Sequence, residues 1–155
     1  KMSPKRPALS YALTLLGRRD YSTWEMERKL EGKGYQRDEI MTAVARLREW
    51  NYLDDETYLR RQIDKYLVAK KSRSYIRQRL RLAGLDPQLV EDGLDLYYPV
   101  DKEREYVQFW WQKCFGGSES APDEKRAVIR WARRMYAAGF PVEEIRPYLD
   151  YNKES

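Results

Sequence analysis

The strongest constraint on this chain is a glycine-centred stretch that occurs three times. "KLEGKGYQRDEI" (29–40), "RLRLAGLDPQLV" (79–90) and "RMYAAGFPVEEI" (134–145) align on Gly34, Gly84 and Gly139. Eight residues before each glycine stand Met26, Ile76 and Trp131, and four before it Leu30, Leu80 and Met135. Directly after it come Tyr35, Leu85 and Phe140, and six after it Ile40, Val90 and Ile145. A spacing of four puts the first two positions on one helical face. Glycine at that point ends a helix, because it accepts the left-handed conformation needed at C′.

Cap signals agree. Ser22-x-x-Glu25 is a capping box, Ser72 and Asp123 are the N-cap residues expected in the second and third copies, and Asp86-Pro87 opens the next helix. Each middle helix is preceded by a helical stretch, 8–19, 55–70 and 101–115, and followed by another, 37–50, 87–98 and 142–150, with Pro147 expected to cut the last one short. Strand signals are nearly absent. The predicted fold is all-α: three tandem three-helix repeats stacked into an elongated, curved array, since a unit of this size gains by sharing surface with its neighbours. The expected boundaries are a basic tail 1–7, repeats 8–54, 55–100 and 101–150, the last divergent, and a tail 151–155. Most aromatics, Tyr11, Trp24, Tyr35, Trp50, Tyr52, Tyr58, Tyr66, Trp110, Trp111 and Trp131, are assigned to packing, with base stacking the lesser alternative.

Composition narrows the chemistry. Histidine is absent and Cys114 is the one cysteine, which removes a zinc site and any histidine-assisted nucleophile. Cys114, inside "FWWQKCF", is expected to be a buried structural thiol. No glycine-rich phosphate loop or nucleophile elbow is present. The acidic run Asp54, Asp55 and Glu56 sits at a helix start, where carboxylates cap and complement the dipole without a catalytic role. No enzyme activity and no cofactor are expected. The basic start runs into a short apolar stretch with no cleavage site, and no apolar run approaches a membrane span, so a cytoplasmic monomer is expected.

The net charge of +5 is concentrated. Residues 8–54 carry eight basic and eight acidic side chains, and residues 101–155 carry ten of each. Residues 60–85 carry nine basic groups against Asp64 alone. The candidate partner- or phosphate-binding residues are Arg60, Arg61, Lys65, Lys70, Lys71, Arg73, Arg77 and Arg81. Arg73, Arg77 and Arg81 form a stripe at i, i+4 and i+8. The aligned positions are Thr23, Glu27 and Glu31 in the first copy and Val128, Ala132 and Tyr136 in the third, so the repeat fold does not call for arginine there. Lys29, Arg79 and Arg134, basic in all three copies, fit an ordinary solvated face.

The stretch "ALTLLGRRDYSTWEMERKLEGKGYQRDEIMTAVARLREWNYLDDETYLRR" resembles the N-terminal half of the RecX family of bacterial recombinase regulators. The resemblance rests on Arg-Arg-Asp-x-Ser, a Glu-x-x-x-Lys-Leu helix closing in Lys-Gly-Tyr, and Tyr-Leu-Asp-Asp-Glu. "SYIRQRLRLAGLDPQLVEDGL" is similar to the family's second repeat. The resemblance implies a protein that binds the RecA nucleoprotein filament along its helical groove and touches more than one subunit. It also implies reduced ATPase, strand exchange and filament persistence, within recombination, DNA repair and the SOS response. The alternative is a sequence-independent module of helix-turn-helix-like repeats, binding single- or double-stranded DNA weakly and without RecA. Against operator reading, the third helix of the first copy carries Glu39 and Glu49 and no cluster suited to base edges.

Overall fold

The structure, a computed structural model, describes residues 6–116 and 125–151, with only the backbone of Tyr151. Among the described residues there are nine helices and no strand: α1 (Ala8–Leu16), α2 (Thr23–Lys33), α3 (Arg37–Glu49), α4 (Asp55–Val68), α5 (Arg73–Leu82), α6 (Pro87–Tyr97), α7 (Lys102–Phe115), α8 (Lys125–Ala137) and α9 (Val142–Tyr151). They fall into three successive triplets. No described helix is long and apolar enough to cross a membrane, and no described cluster of Cys, Asp or Glu is placed to hold a metal.

The middle helices α2, α5 and α8 end in the same way. Gly34, Gly84 and Gly139 have φ of 102°, 77° and 91°. The glycine N–H reaches back three residues, to the carbonyls of Glu31, Arg81 and Tyr136. The next N–H reaches back five, to Leu30, Leu80 and Met135. This is the Schellman pattern. The aligned apolar positions are buried from 0% to 6% exposed, apart from the half-buried Met135.

The caps form as the sequence indicates. The Glu25 N–H donates to Ser22 Oγ and the Ser22 N–H to Glu25 Oε1. The Tyr75 N–H donates to Ser72 Oγ, and the Leu89 N–H to Asp86 Oδ2. The N-cap expected at Asp123, and the tails 1–5 and 152–155, lie outside the described residues.

Two serines do more than cap. Ser22 Oγ donates to the Ala83 carbonyl at 2.6 Å, and Ser72 Oγ donates to the Ala138 carbonyl at 2.6 Å. Those carbonyls are orphans at the ends of α5 and α8. The start of one repeat's middle helix therefore docks on the end of the next repeat's middle helix, twice, in the same register. The approach is close: a Cβ on Gly84 would lie 2.4 Å from the Trp24 ring, and one on Gly139 would lie 2.7 Å from Ser72 Oγ. Carboxylates of the following repeat complete the joint. The Thr23 N–H donates to Asp55 Oδ1 (2.9 Å) and the Arg73 N–H to Glu103 Oε2 (3.3 Å).

Two compact units result, and each contains one such joint. The first comprises the chain up to Gln62 with Arg79–Gly93; the second comprises Ile63–Gln78 with the chain from Leu94 onward. The first is filled by Ala12, Met26, Leu30, Ile40, Val44 and Leu47 among others. The second holds an aromatic cluster in which Trp111 meets Phe115, Trp131 and Tyr148 at ring distances of 4.4, 5.0 and 4.9 Å.

Three expectations are corrected. Pro147 does not cut α9 short, for the helix runs on to Tyr151. Tyr148, just past the proline, packs on Trp111 and Trp131, so tertiary contact holds the turn that the missing N–H weakens. Cys114 is exposed: it lies two turns after the buried Val107 on the same side of α7, but in the last turn of the helix. Trp50 and Tyr52 are also exposed, stacked edge-on at 6.4 Å, whereas Trp24, although 41% exposed, packs against Gly84 as expected.

Candidate functional site

The basic residues of 60–85 lie on α4, on the α4–α5 turn and on α5. In the first unit are Arg60, Arg61 and Arg81. Arg60 is exposed and its charge helps hold the Asp54 carboxyl below the usual carboxylate range, after the larger effect of the hydrogen bonds from Thr57. Arg61 Nη1 meets Asp20 Oδ1 at 3.1 Å, both well exposed, an arrangement that contributes little to stability. Arg81 is exposed, with no carboxylate partner among the described residues.

The second unit gathers Lys65, Lys70, Lys71, Arg73 and Arg77. Lys65 Nζ lies 5.3 Å from the Tyr66 ring centre and Lys71 Nζ 4.8 Å from that of Tyr75. Tyr66 and Tyr75 are themselves edge-to-face at 5.4 Å, so the two lysines flank one ring pair. Lys70 Nζ stands 4.3 Å from the Phe109 ring, which is 40% exposed. Each arrangement is of the cation–π kind.

The turn that carries Lys70 and Lys71 is fixed by aromatic donors from α7 and from the segment between α6 and α7. Tyr106 Oη donates to the Leu67 carbonyl (3.0 Å), Trp110 Nε1 to that of Lys70 (3.1 Å), and Tyr98 Oη to that of Lys71 (2.9 Å). Burial pushes the Tyr98 and Tyr106 phenols up, so both keep the proton they donate. Lys70 has φ of 55°. The turn is again of the Schellman type, since the Lys70 N–H donates to the Leu67 carbonyl and the Lys71 N–H to that of Tyr66. Three turns of this kind use glycine and the one after α3 uses Asn51, the residues that tolerate a left-handed backbone. At position 70 the chain keeps a lysine despite the cost.

Arg73 faces elsewhere than a plain stripe implies. Its guanidinium pairs with Asp95 of α6 and lies 5.8 Å from the Tyr98 ring, leaving its side chain 26% exposed. The aligned residues of the first copy are Thr23 and Ala45, so the pair is present in the second repeat and absent in the first. Arg77 is half-buried, near enough to Glu103 for its charge to act on that carboxyl. Burial, the largest influence on Glu103, nonetheless raises it. The structure thus brings Lys65, Lys70 and Lys71 together with tyrosine and phenylalanine rings, and ties Arg73 into the fold.

Sequence reasoning assigned Trp110 to packing but missed the positioning residues Tyr98 and Tyr106. Their one signal is the residue type itself: an aromatic body with a polar tip that looks for a partner when buried. The acidic run is occupied by capping, as its position suggests. Asp54 accepts from the Glu56 and Thr57 N–H groups and from Thr57 Oγ1, and Asp55 accepts from Thr23.

Comparison with known proteins agrees with this architecture. The family model described as RecX, first three-helix domain, matches residues 8–47, which hold α1, α2 and α3 as far as Leu47. Regulatory protein RecX of Mannheimia succiniciproducens is 37% identical over 152 residues, covering 95% of this chain and 95% of that protein. Regulatory protein RecX of Caldanaerobacter subterraneus is 26% identical, over 94% of this chain and 70% of its own length. The crystal structure of RecX from Lactobacillus salivarius superposes with a TM-score of 0.74 at 20% identity, covering 93% of this chain and 95% of that one, and shows the same fold. With its repeats, its glycine-ended middle helices and this similarity along nearly the whole length, the chain belongs to the RecX family of regulatory proteins.

Proposed function

We propose that this chain is a non-enzymatic regulator of the RecA recombinase that binds in the groove of the RecA–DNA filament and lowers its ATPase, strand exchange and persistence. Family membership over 95% of both lengths is the observation that carries this reading. Repeats joined in one register support it, because a repeating surface suits a partner that itself repeats. The contact is assigned to Arg60, Arg61, Lys65, Lys70, Lys71, Arg73, Arg77 and Arg81. Within this set Lys65, Lys70 and Lys71 lead: they lie beside the rings of buried Tyr66, exposed Phe109 and half-buried Tyr75 respectively, and Lys70 occupies a backbone conformation that folding alone would give to glycine.

Sedimentation with RecA filaments, assembled on single-stranded DNA with a non-hydrolysed ATP analogue, tests the proposal. The chain should co-sediment with filaments far more than with naked DNA. Reversal of the lysines (K65E/K70E/K71E) should weaken this by about tenfold or more, because each attraction becomes a repulsion. Reversal at K29E/R37E/R46E, exposed on α2 and α3, should cost much less. Equal binding to naked DNA would favour the DNA module acting without RecA.

A further inference from the structure

The lysine turn has an apolar side that its charges do not explain. Val68, the last residue of α4, stands two residues before Lys70 and is 81% exposed. Phe109 of α7, the ring beneath Lys70 Nζ, is exposed as well. Folding calls for neither, since α7 buries Tyr106 and Val107 instead, and a side chain as open as Val68 adds little to a core. Both residues and the three lysines belong to the second compact unit.

Rings beside cations can stack bases, so the ring faces decide which partner fits. Each ring of this surface already has a lysine over it: Lys65 on Tyr66, Lys71 on Tyr75, Lys70 on Phe109, and Lys113 on Trp110 at 5.3 Å. The rings also meet each other edge-on, Tyr66 with Tyr75 and Phe109 with Trp110, the latter at 5.1 Å. A base stacking on a face so covered would displace the ammonium and lose its cation–π contact. Nucleic acid also brings no aliphatic side chain to Val68. A protein segment brings carboxylates and apolar side chains together, which is what this surface can use. We propose that Val68, Lys70 and Phe109, with Lys65 and Lys71 beside them, dock an acidic protein segment that carries apolar side chains among its carboxylates. Because these lysines are assigned to the filament, this rests on that reading, and it assigns the segment to RecA protein rather than to the DNA it holds.

Fluorescence anisotropy of the full chain with a labelled glutamate–tyrosine copolymer tests the surface without RecA. Unlabelled polyglutamate and oligothymidylate of equal charge serve as competitors. The copolymer should bind about tenfold more tightly than polyglutamate, because burying one apolar side chain is worth about that much. V68S/F109S should remove most of this preference while leaving polyglutamate affinity within about twofold. V68S alone, at a site too open to matter for folding, should remove part of it. K65Q/K70N/K71Q should weaken both polymers by about tenfold or more, asparagine being a residue that tolerates the left-handed backbone at position 70. K29Q/R37Q/R46Q removes the same charge from exposed positions on α2 and α3 and should cost much less. Circular dichroism of each variant should match the wild type. A copolymer preference unchanged in V68S and in V68S/F109S would overturn the proposal. Equal losses in the two triple variants would overturn it too, as would oligothymidylate that displaces the copolymer more readily than polyglutamate does. If V68S/F109S loses the preference yet still co-sediments fully with RecA filaments, the surface stands and RecA is not its partner. Wild-type filament binding without any copolymer preference has the reverse meaning: this surface falls and the filament reading survives.

Discussion

At Ser22 and Ser72 one hydroxyl satisfies two helix ends, accepting from its own helix and donating to the last carbonyl of the next repeat's middle helix. Loss of a serine cap costs about 1 kcal/mol, and a carbonyl left without its donor costs roughly 1–3 more. S22A and S72A should therefore each lower unfolding free energy by about 2–4 kcal/mol in urea titration. The capping half of this role is legible in the sequence, because it is local. The other half joins residues 61 and 66 positions apart and leaves no local trace. The same holds for the glycines: positive φ follows from the helix stop, whereas the need for a bare Cα against Trp24 or Ser72 appears only when the repeats meet.

Titration separates two acids at this scale. Burial raises Glu103 above the usual glutamate value of 4.5, so the folded chain holds that proton more tightly than the unfolded one. The stability it contributes is complete below 4.5 and is lost as pH rises through the raised value. E103Q keeps an acceptor for the Arg73 N–H and does not titrate. Its stability relative to wild type should thus rise between acidic and neutral pH. Asp54 is the reverse case: the Thr57 hydroxyl foremost, and the Thr57 and Glu56 N–H groups, hold it below the usual 3.8. Its contribution is present above 3.8 and is lost as pH falls through the lowered value. D54N should be most harmful near neutrality and nearly silent in strong acid.

The elements show which rules yield to packing. α2, α5 and α8 end where glycine says they must, and α6 starts at its Asp-Pro signal. α9 overrides its proline because Tyr148 is held by two tryptophans. Pro147 therefore persists at a cost, and P147A should stabilise the chain by about 1–3 kcal/mol in urea titration. The turn between α4 and α5 makes a comparable case. K70G relieves a left-handed lysine and should leave stability equal or raised by up to about 1 kcal/mol, while weakening filament binding. If K70G instead leaves filament binding intact, Lys70 has no part in the contact.

For the whole molecule, repetition made the fold legible and contacts between distant residues hid part of the chemistry. Aligning three copies exposes the arginines of α5, because the other copies lack them. Arg73 nonetheless turns toward Asp95, a partner 22 residues away that the helix alone does not reveal. The most direct test of the central claim is RecA's ATP hydrolysis on single-stranded DNA as this chain is titrated in, with filament length followed by electron microscopy. Hydrolysis should fall and filaments shorten as the chain saturates them, and K65E/K70E/K71E should need about tenfold more protein for the same effect. Unchanged hydrolysis and unchanged filament length at saturating chain would contradict the account.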